Sequence, residues 1–135
     1  MASIYSRIGT EKYQIEISTP SGNELTADEP LEMGGQDLGF SPKELLAASL
    51  AACTSATLRM YADRKEWDLQ EVKIKIDLDF LAQESKTIIN RELELIGNLN
   101  EQQRKRLLDI ANACPVHKML SNPFEISTRK VSSAV

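Results

Sequence analysis

Three residues in this chain have side chains suited to covalent or metal chemistry: Cys53, Cys114 and His117. The thiolate, not the thiol, is the nucleophile and the metal ligand, so the question for each cysteine is what would deprotonate it. Cys114 precedes Pro115, a residue that starts helices well, and so stands where unpaired helix N–H groups would stabilise a thiolate. Cys53 lies in the middle of a long Ala-rich run whose amides are already bonded if the run is helical, and it needs a cation from elsewhere. Either cysteine, taken alone, reads first as a small buried hydrophobe. His117 follows Cys114 by three residues and falls on the same helical face. A Cys–His pair suits acyl transfer, but no orienting third group or local signature accompanies it, and a partly exposed His on a short helix is the simpler reading. Two cysteines and one histidine lack the close Cys pairs of a structural zinc site, so no metal is expected.

The elements that would hold these residues can be read from the pattern around them. Ser41–Arg64 is the stretch on which the rest of the chain is organised. Ser41 is a helix N-cap, Pro42 fits the first helical position, and Glu44 falls where a capping-box carboxylate belongs. Leu45 to Leu58 carries no charge, and its apolar residues go round the helix instead of forming one stripe, which predicts burial on most sides. Nine residues separate Glu44 from Cys53 and place them on opposite helix faces. Before this helix, Ser3–Ile8 and Lys12–Thr19 read as two strands joined at Gly9-Thr10, with a turn at 20–23 and a short third strand at Glu24–Ala27. The loop 28–40 contains Gly34, Gly35 and Gly39, but their spacing fits no phosphate-binding loop.

After the helix, Val72, Ile74, Ile76, Leu78 and Phe80 alternate with Lys73, Lys75, Asp77 and Asp79, a strand with one dry face. A turn at 82–85 returns the chain through Thr87–Ile96, where Arg91 shares a side with Ile89, Leu93 and Leu95. Asn100 caps a second helix, Glu101 to about Ala113, on which Leu107, Ala111 and Cys114 follow at spacings of four and three toward the core. Cys114 then caps a short helix, Pro115–Leu120, and Phe124–Val131 reads as a last strand. The order β-β-β-α-β-β-α-β indicates a single α+β domain over residues 1–135.

Composition narrows the class further. The chain of 135 residues has a net charge of -4, which offers nothing to nucleic acid or an anionic membrane. Its start, MASIYSRIG, lacks the pattern of a secretory leader, and the longest uncharged apolar stretch falls short of a span of ~20 residues. A cytoplasmic address is expected, where two cysteines are reduced, metal-bound or catalytic and not a permanent staple.

The run GGQDLGFSPKELLAASLAACTSATL, followed some way on by ANACPVHKML, resembles the OsmC/Ohr family (osmotically inducible protein C and the organic hydroperoxide resistance proteins). The likeness covers nearly the whole chain. It implies antiparallel sheets packed around a long central helix in an intertwined homodimer. It also implies a thiol-dependent peroxidase for organic hydroperoxides, with Cys53 at the peroxidatic position and Cys114 at the resolving one. Arg7 is the nearest match to the family's hairpin Arg that holds the peroxidatic thiolate. A Glu directly after the helix-start Pro normally partners that Arg; this chain has Lys43 there, with Glu44 one step on, as in divergent OsmC-like branches. The activity so implied uses an organic hydroperoxide and a thiol or dithiol reductant, and no cofactor.

Two other classes of function compete with the peroxidase. One is a non-catalytic module that keeps the fold and binds a small apolar ligand, favoured by Lys43. The other is a transferase or hydrolase built on Cys114 and His117.

Overall fold

The computed structural model describes residues 1–131. These divide into two compact units, Met1–Ala52 with Ile74–Glu94, and Cys53–Lys73 with the chain from Leu95 onward.

In the first unit, three short strands, β1 (Tyr5–Arg7), β2 (Ile15–Ser18) and β3 (Glu24–Ala27), form an antiparallel sheet in that order. The register places Arg7 directly opposite Glu16 and Ile15 opposite Ala27. The turn at 20–23 closes with a bond from the Gly22 N–H to the Thr19 carbonyl, at a positive φ that glycine adopts without strain.

The loop 28–40 returns beside β3, where the Asp28 N–H donates to the Phe40 carbonyl at 3.1 Å. Asp28 is fully buried, and its carboxylate accepts from the backbone N–H groups of Tyr13, Glu29, Gln36 and Leu38. Gly35 and Gly39 are there for closeness. A Cβ on Gly35 would meet the Glu29 carbonyl and the Asp28 carboxylate, and one on Gly39 would meet the Thr26 carbonyl. The glycines of this loop therefore serve its own packing around a buried carboxylate.

The central helix α1 spans Pro42–Lys65 and starts with the expected capping box. The Glu44 N–H donates to the Ser41 Oγ at 3.2 Å, and the Ser41 N–H donates to a Glu44 carboxylate oxygen at 2.8 Å. Within the chain, its fully buried residues are Leu50, Thr54, Leu58 and Ala62, a single stripe at spacings of four, while Leu46 and Met60 remain exposed. The expectation of burial on most sides therefore does not hold within one chain. By length and composition α1 could cross a membrane, with 22% of its most apolar window buried, which the uncharged stretch alone did not suggest.

Strands β4 (Asp68–Leu81) and β5 (Lys86–Asn98) pair as a hairpin. From Val72 to Asp79 the side chains of β4 alternate between half-buried and exposed, and on β5 Ile89, Arg91, Leu93 and Leu95 share the half-buried side.

In the second unit, α2 (Glu101–Ala111) begins with a capping box of Asn100 and Gln103. The Arg104 guanidinium donates to the carbonyls of Leu95, Gly97 and Leu99, tying the end of β5 to the first turn of α2. Leu58, Ala62, Leu69, Leu107, Ala111 and Cys114 are buried and form the unit's apolar core. Helix α3 (Pro115–Leu120) follows, with Cys114 as N-cap.

The expected last strand is absent. Residues 123–131 form no helix or strand, and Phe124, Ile126 and Val131 are exposed. Alternation of apolar residues makes a strand only where a neighbour offers a ladder. Pro123 opens the segment without an N–H to donate.

Candidate active site

The Cys114 thiol is the best-defined group of the site. Its position follows from two local events. Helix α2 ends at Ala111, and Pro115 cannot continue it but starts α3, so Cys114 adopts extended backbone between them (φ -67°, ψ 148°). Its side chain then turns over the new helix, where Sγ accepts the His117 N–H at 3.4 Å. The thiol is fully buried, and Sγ lies 3.8 Å from the Oγ1 of Thr54.

Cys53 directly precedes Thr54 and is half-buried, on the flank of the buried stripe of α1. Neither cysteine is joined in a disulfide. The bond between His117 and Cys114 described above runs from the backbone N–H to sulfur, and it belongs to helix capping. Among the described residues no group of three His, Cys, Asp or Glu side chains clusters to hold a metal ion.

Arg7 stands on β1, strongly exposed, with its Nε donating to a Glu16 carboxylate oxygen at 2.7 Å across the strand pair. It lines an open groove on the N-terminal sheet together with Tyr5, Glu16, Ile17 and Leu25. Lys43 is exposed at the start of α1. Glu44 is committed to the cap, and the Ser41 N–H and hydroxyl hold its carboxyl below the usual carboxylate range. Arg91 is half-buried on β5.

Three residues of this arrangement were not singled out from the sequence. Thr54 continues the i+4 series of Leu50 and Leu58 and would have been found by extending that series. Glu16 becomes the partner of Arg7 only through the β1–β2 register. Asp28, directly before Glu29, becomes the loop's organiser only through the four backbone N–H groups that gather on its carboxylate.

The fold is similar to several solved structures, all at low identity. An OsmC like protein from Mycoplasma pneumoniae superposes with a TM-score of 0.77 at 20% identity, over 90% of this chain and 87% of that one. An organic hydroperoxide resistance protein OsmC from Legionella pneumophila gives a TM-score of 0.66 at 22% identity, over 89% and 88%. The organic hydroperoxide resistance protein OhrB of Bacillus subtilis gives 0.61 at 22% identity, over 88% and 89%. No curated protein matches the sequence. The family model described as OsmC-like protein matches residues 34–129, from the glycines before α1 through both thiols, and the chain therefore belongs to the OsmC-like family.

Proposed function

We propose that the chain is a thiol-dependent peroxidase that reduces organic hydroperoxides, with Cys53 as the attacking thiolate and Cys114 as the resolving thiol. The observation that carries this reading is the contact of Cys114 Sγ with Thr54, the residue adjacent to Cys53 on α1. The names of the Legionella and Bacillus proteins, with which this chain shares its fold, support the substrate class.

The steps balance without a prosthetic group. The Cys53 thiolate attacks one oxygen of the hydroperoxide, an S–O bond forms, the O–O bond breaks, and the alkoxide takes a proton and leaves as an alcohol. Cys53 is then a sulfenic acid. Cys114 condenses with it, an S–S bond forms, and water leaves. Two thiol equivalents of an external reductant reopen the disulfide by exchange and are themselves oxidised.

The same reading includes a cytoplasmic homodimer in which both units of each chain act as one domain, residues 1–135. The exposed apolar residues of α1 support the dimer, since one chain covers only a stripe of that helix. Arg7, held by Glu16, is the cation proposed to steady the Cys53 thiolate.

Mass spectrometry after one equivalent of cumene hydroperoxide tests the assignment. Wild type should form an internal disulfide, Cys114→Ser should stop as Cys53 sulfenic acid after about one turnover and reach sulfinic acid only with a second equivalent, and Cys53→Ser should leave the peroxide intact. Full peroxide consumption by Cys53→Ser would remove Cys53 from the attacking role.

A further inference from the structure

The end of α1 carries a feature that the peroxide chemistry does not use. Three cations surround the ring of Tyr61. The guanidinium carbons of Arg64 and Arg106 lie 5.9 Å and 5.7 Å from its centroid, and the Lys65 ammonium lies 5.7 Å from it. Arg64 and Lys65 reach the ring from the next turn of the same helix, whereas Arg106 arrives from α2. Its Nε donates to the Tyr61 hydroxyl at 3.0 Å, so the phenolic hydrogen is left to donate outward. Trp67 packs edge-on against the same ring at 5.5 Å and fixes its plane.

Among the described residues, none of the three cations forms an ion pair with a carboxylate. Of the acids nearest in sequence, Asp63 pairs with Arg59 and Glu66 forms no ion pair with Lys65, while Asp109, three residues after Arg106, acts on its charge from a distance without an ion pair. Like charges gathered on one ring repel, and an aromatic face offsets only part of that cost. The chain as a whole is acidic, at -4, which makes a local surplus of three positive charges a placed feature. The cluster also acts on the phenol: the Arg106 hydrogen bond draws the Tyr61 hydroxyl below its ordinary range, against the effect of burial, with the charges of Arg106, Lys65 and Arg64 adding to it.

We propose that Tyr61, Arg64, Lys65 and Arg106 form a binding site for a phosphate group. A dianion with several acceptor oxygens matches this donor set. Two guanidiniums give planar forks, the ammonium gives a point charge, and the phenol gives one O–H, all exposed or half-buried and gathered around one ring in the second unit. The site is independent of the thiols, and its failure would leave the peroxidase reading untouched.

The protein carries its own reporter, because Trp67 is its only tryptophan and touches the ring at the centre of the cluster. The full-length protein would be titrated with inorganic phosphate and with phenyl phosphate while Trp67 fluorescence is followed, with sodium chloride at matched ionic strength and succinate as controls. Phosphorus NMR line broadening serves as a second readout that does not depend on the fluorophore. The expected result is a saturable response to phosphate that chloride does not reproduce, weakened on the order of tenfold in Arg106→Gln, as loss of one charge-assisted contact implies. Lys65→Gln and Arg64→Gln, whose side chains are exposed, keep the test open if Arg106→Gln unfolds. Tighter binding of phenyl phosphate would identify a phosphate ester as the ligand, and equal binding the free ion. Equal response to succinate would replace phosphate by carboxylate, and no saturable response in either readout would overturn the site.

Discussion

The Sγ of Cys114 lies 3.8 Å from the Oγ1 of Thr54, and Thr54 is the residue next to Cys53 on the central helix. One thiol is thus buried at the start of a short helix, and the other is half-buried one position from its contact. If the two act in sequence, oxidation should join them. Treatment with a stoichiometric alkyl hydroperoxide should give an internal disulfide, read as a loss of two hydrogens by intact mass and as one linked peptide pair after digestion. The oxidised form should bring the Cα atoms within ~7 Å. A product linked only between chains would sink the resolving role of Cys114 within its own subunit.

A second outcome concerns acid stability. Burial pushes the Asp28 carboxyl up, but the N–H groups of Leu38, Glu29, Tyr13 and Gln36 outweigh it and hold it below the usual carboxylate range. A group whose folded value is depressed contributes stability that is fully present above the unfolded value, ~3.9, and is lost as pH falls through the folded one. Asp28→Asn should therefore lower the melting temperature at pH 7, because its NH2 must face a pair of backbone N–H donors. The gap to wild type should narrow below about pH 4 as the native carboxylate protonates. Melting curves that stay parallel from pH 7 to 3 would show that the Asp28 charge does not organise the loop.

Much of the architecture was legible because its signals are local. Ser41 with Glu44, Asn100 before Glu101, and Cys114 before Pro115 each declare a helix start within four residues, and all three caps form. The alternation from Val72 to Asp79 likewise needs only its own strand. What failed depended on distant chain. Phe124–Val131 has the pattern of a strand but no ladder partner among the described residues, and pattern alone does not hydrogen-bond. Apolar residues all round α1 predicted burial, yet a 135-residue chain covers one stripe. The partner of Arg7 was sought at the helix start, whereas strand register supplies Glu16.

The uncovered part of α1 leads to a third outcome. Leu46 and Met60 are exposed at 42% and 64% on a helix whose polar residues form no compensating face. Fully burying a side chain of this kind is worth ~1.5–3 kcal/mol, enough for a few of them to drive association. Sedimentation should report a homodimer at micromolar concentration, and Leu46→Glu should shift it toward monomer while circular dichroism of the helix is kept. A monomeric wild type would leave those side chains without the proposed partner.

The last outcome concerns how the attacking thiol is activated. Amides in the middle of a helix are already bonded, so Cys53 cannot borrow the help that Cys114 receives at the start of α3. The proposed cation is Arg7, and a guanidinium steadies a thiolate only if it is itself held. Lys43 cannot hold it, and Glu44 is engaged with Ser41. Glu16 does hold it, opposite in register and bonded at 2.7 Å, although exposure of both side chains makes this pair weak in solvent. Losing a charge-assisted hydrogen bond costs ~1.5–3 kcal/mol, or roughly a 10- to 100-fold fall in rate. Arg7→Ala should slow the single-turnover reaction of Cys53 with cumene hydroperoxide by that order, and Glu16→Gln by less, since the amide still accepts a bond from the guanidinium. Lys43→Glu should speed it, by adding a second carboxylate for Arg7. Stopped-flow rates at several pH values separate activation of the thiol from damage to the fold, because activation shifts the pH profile and damage only lowers it. An unchanged profile in Arg7→Ala would transfer the role to another cation, with Arg91, half-buried on β5, the first to replace.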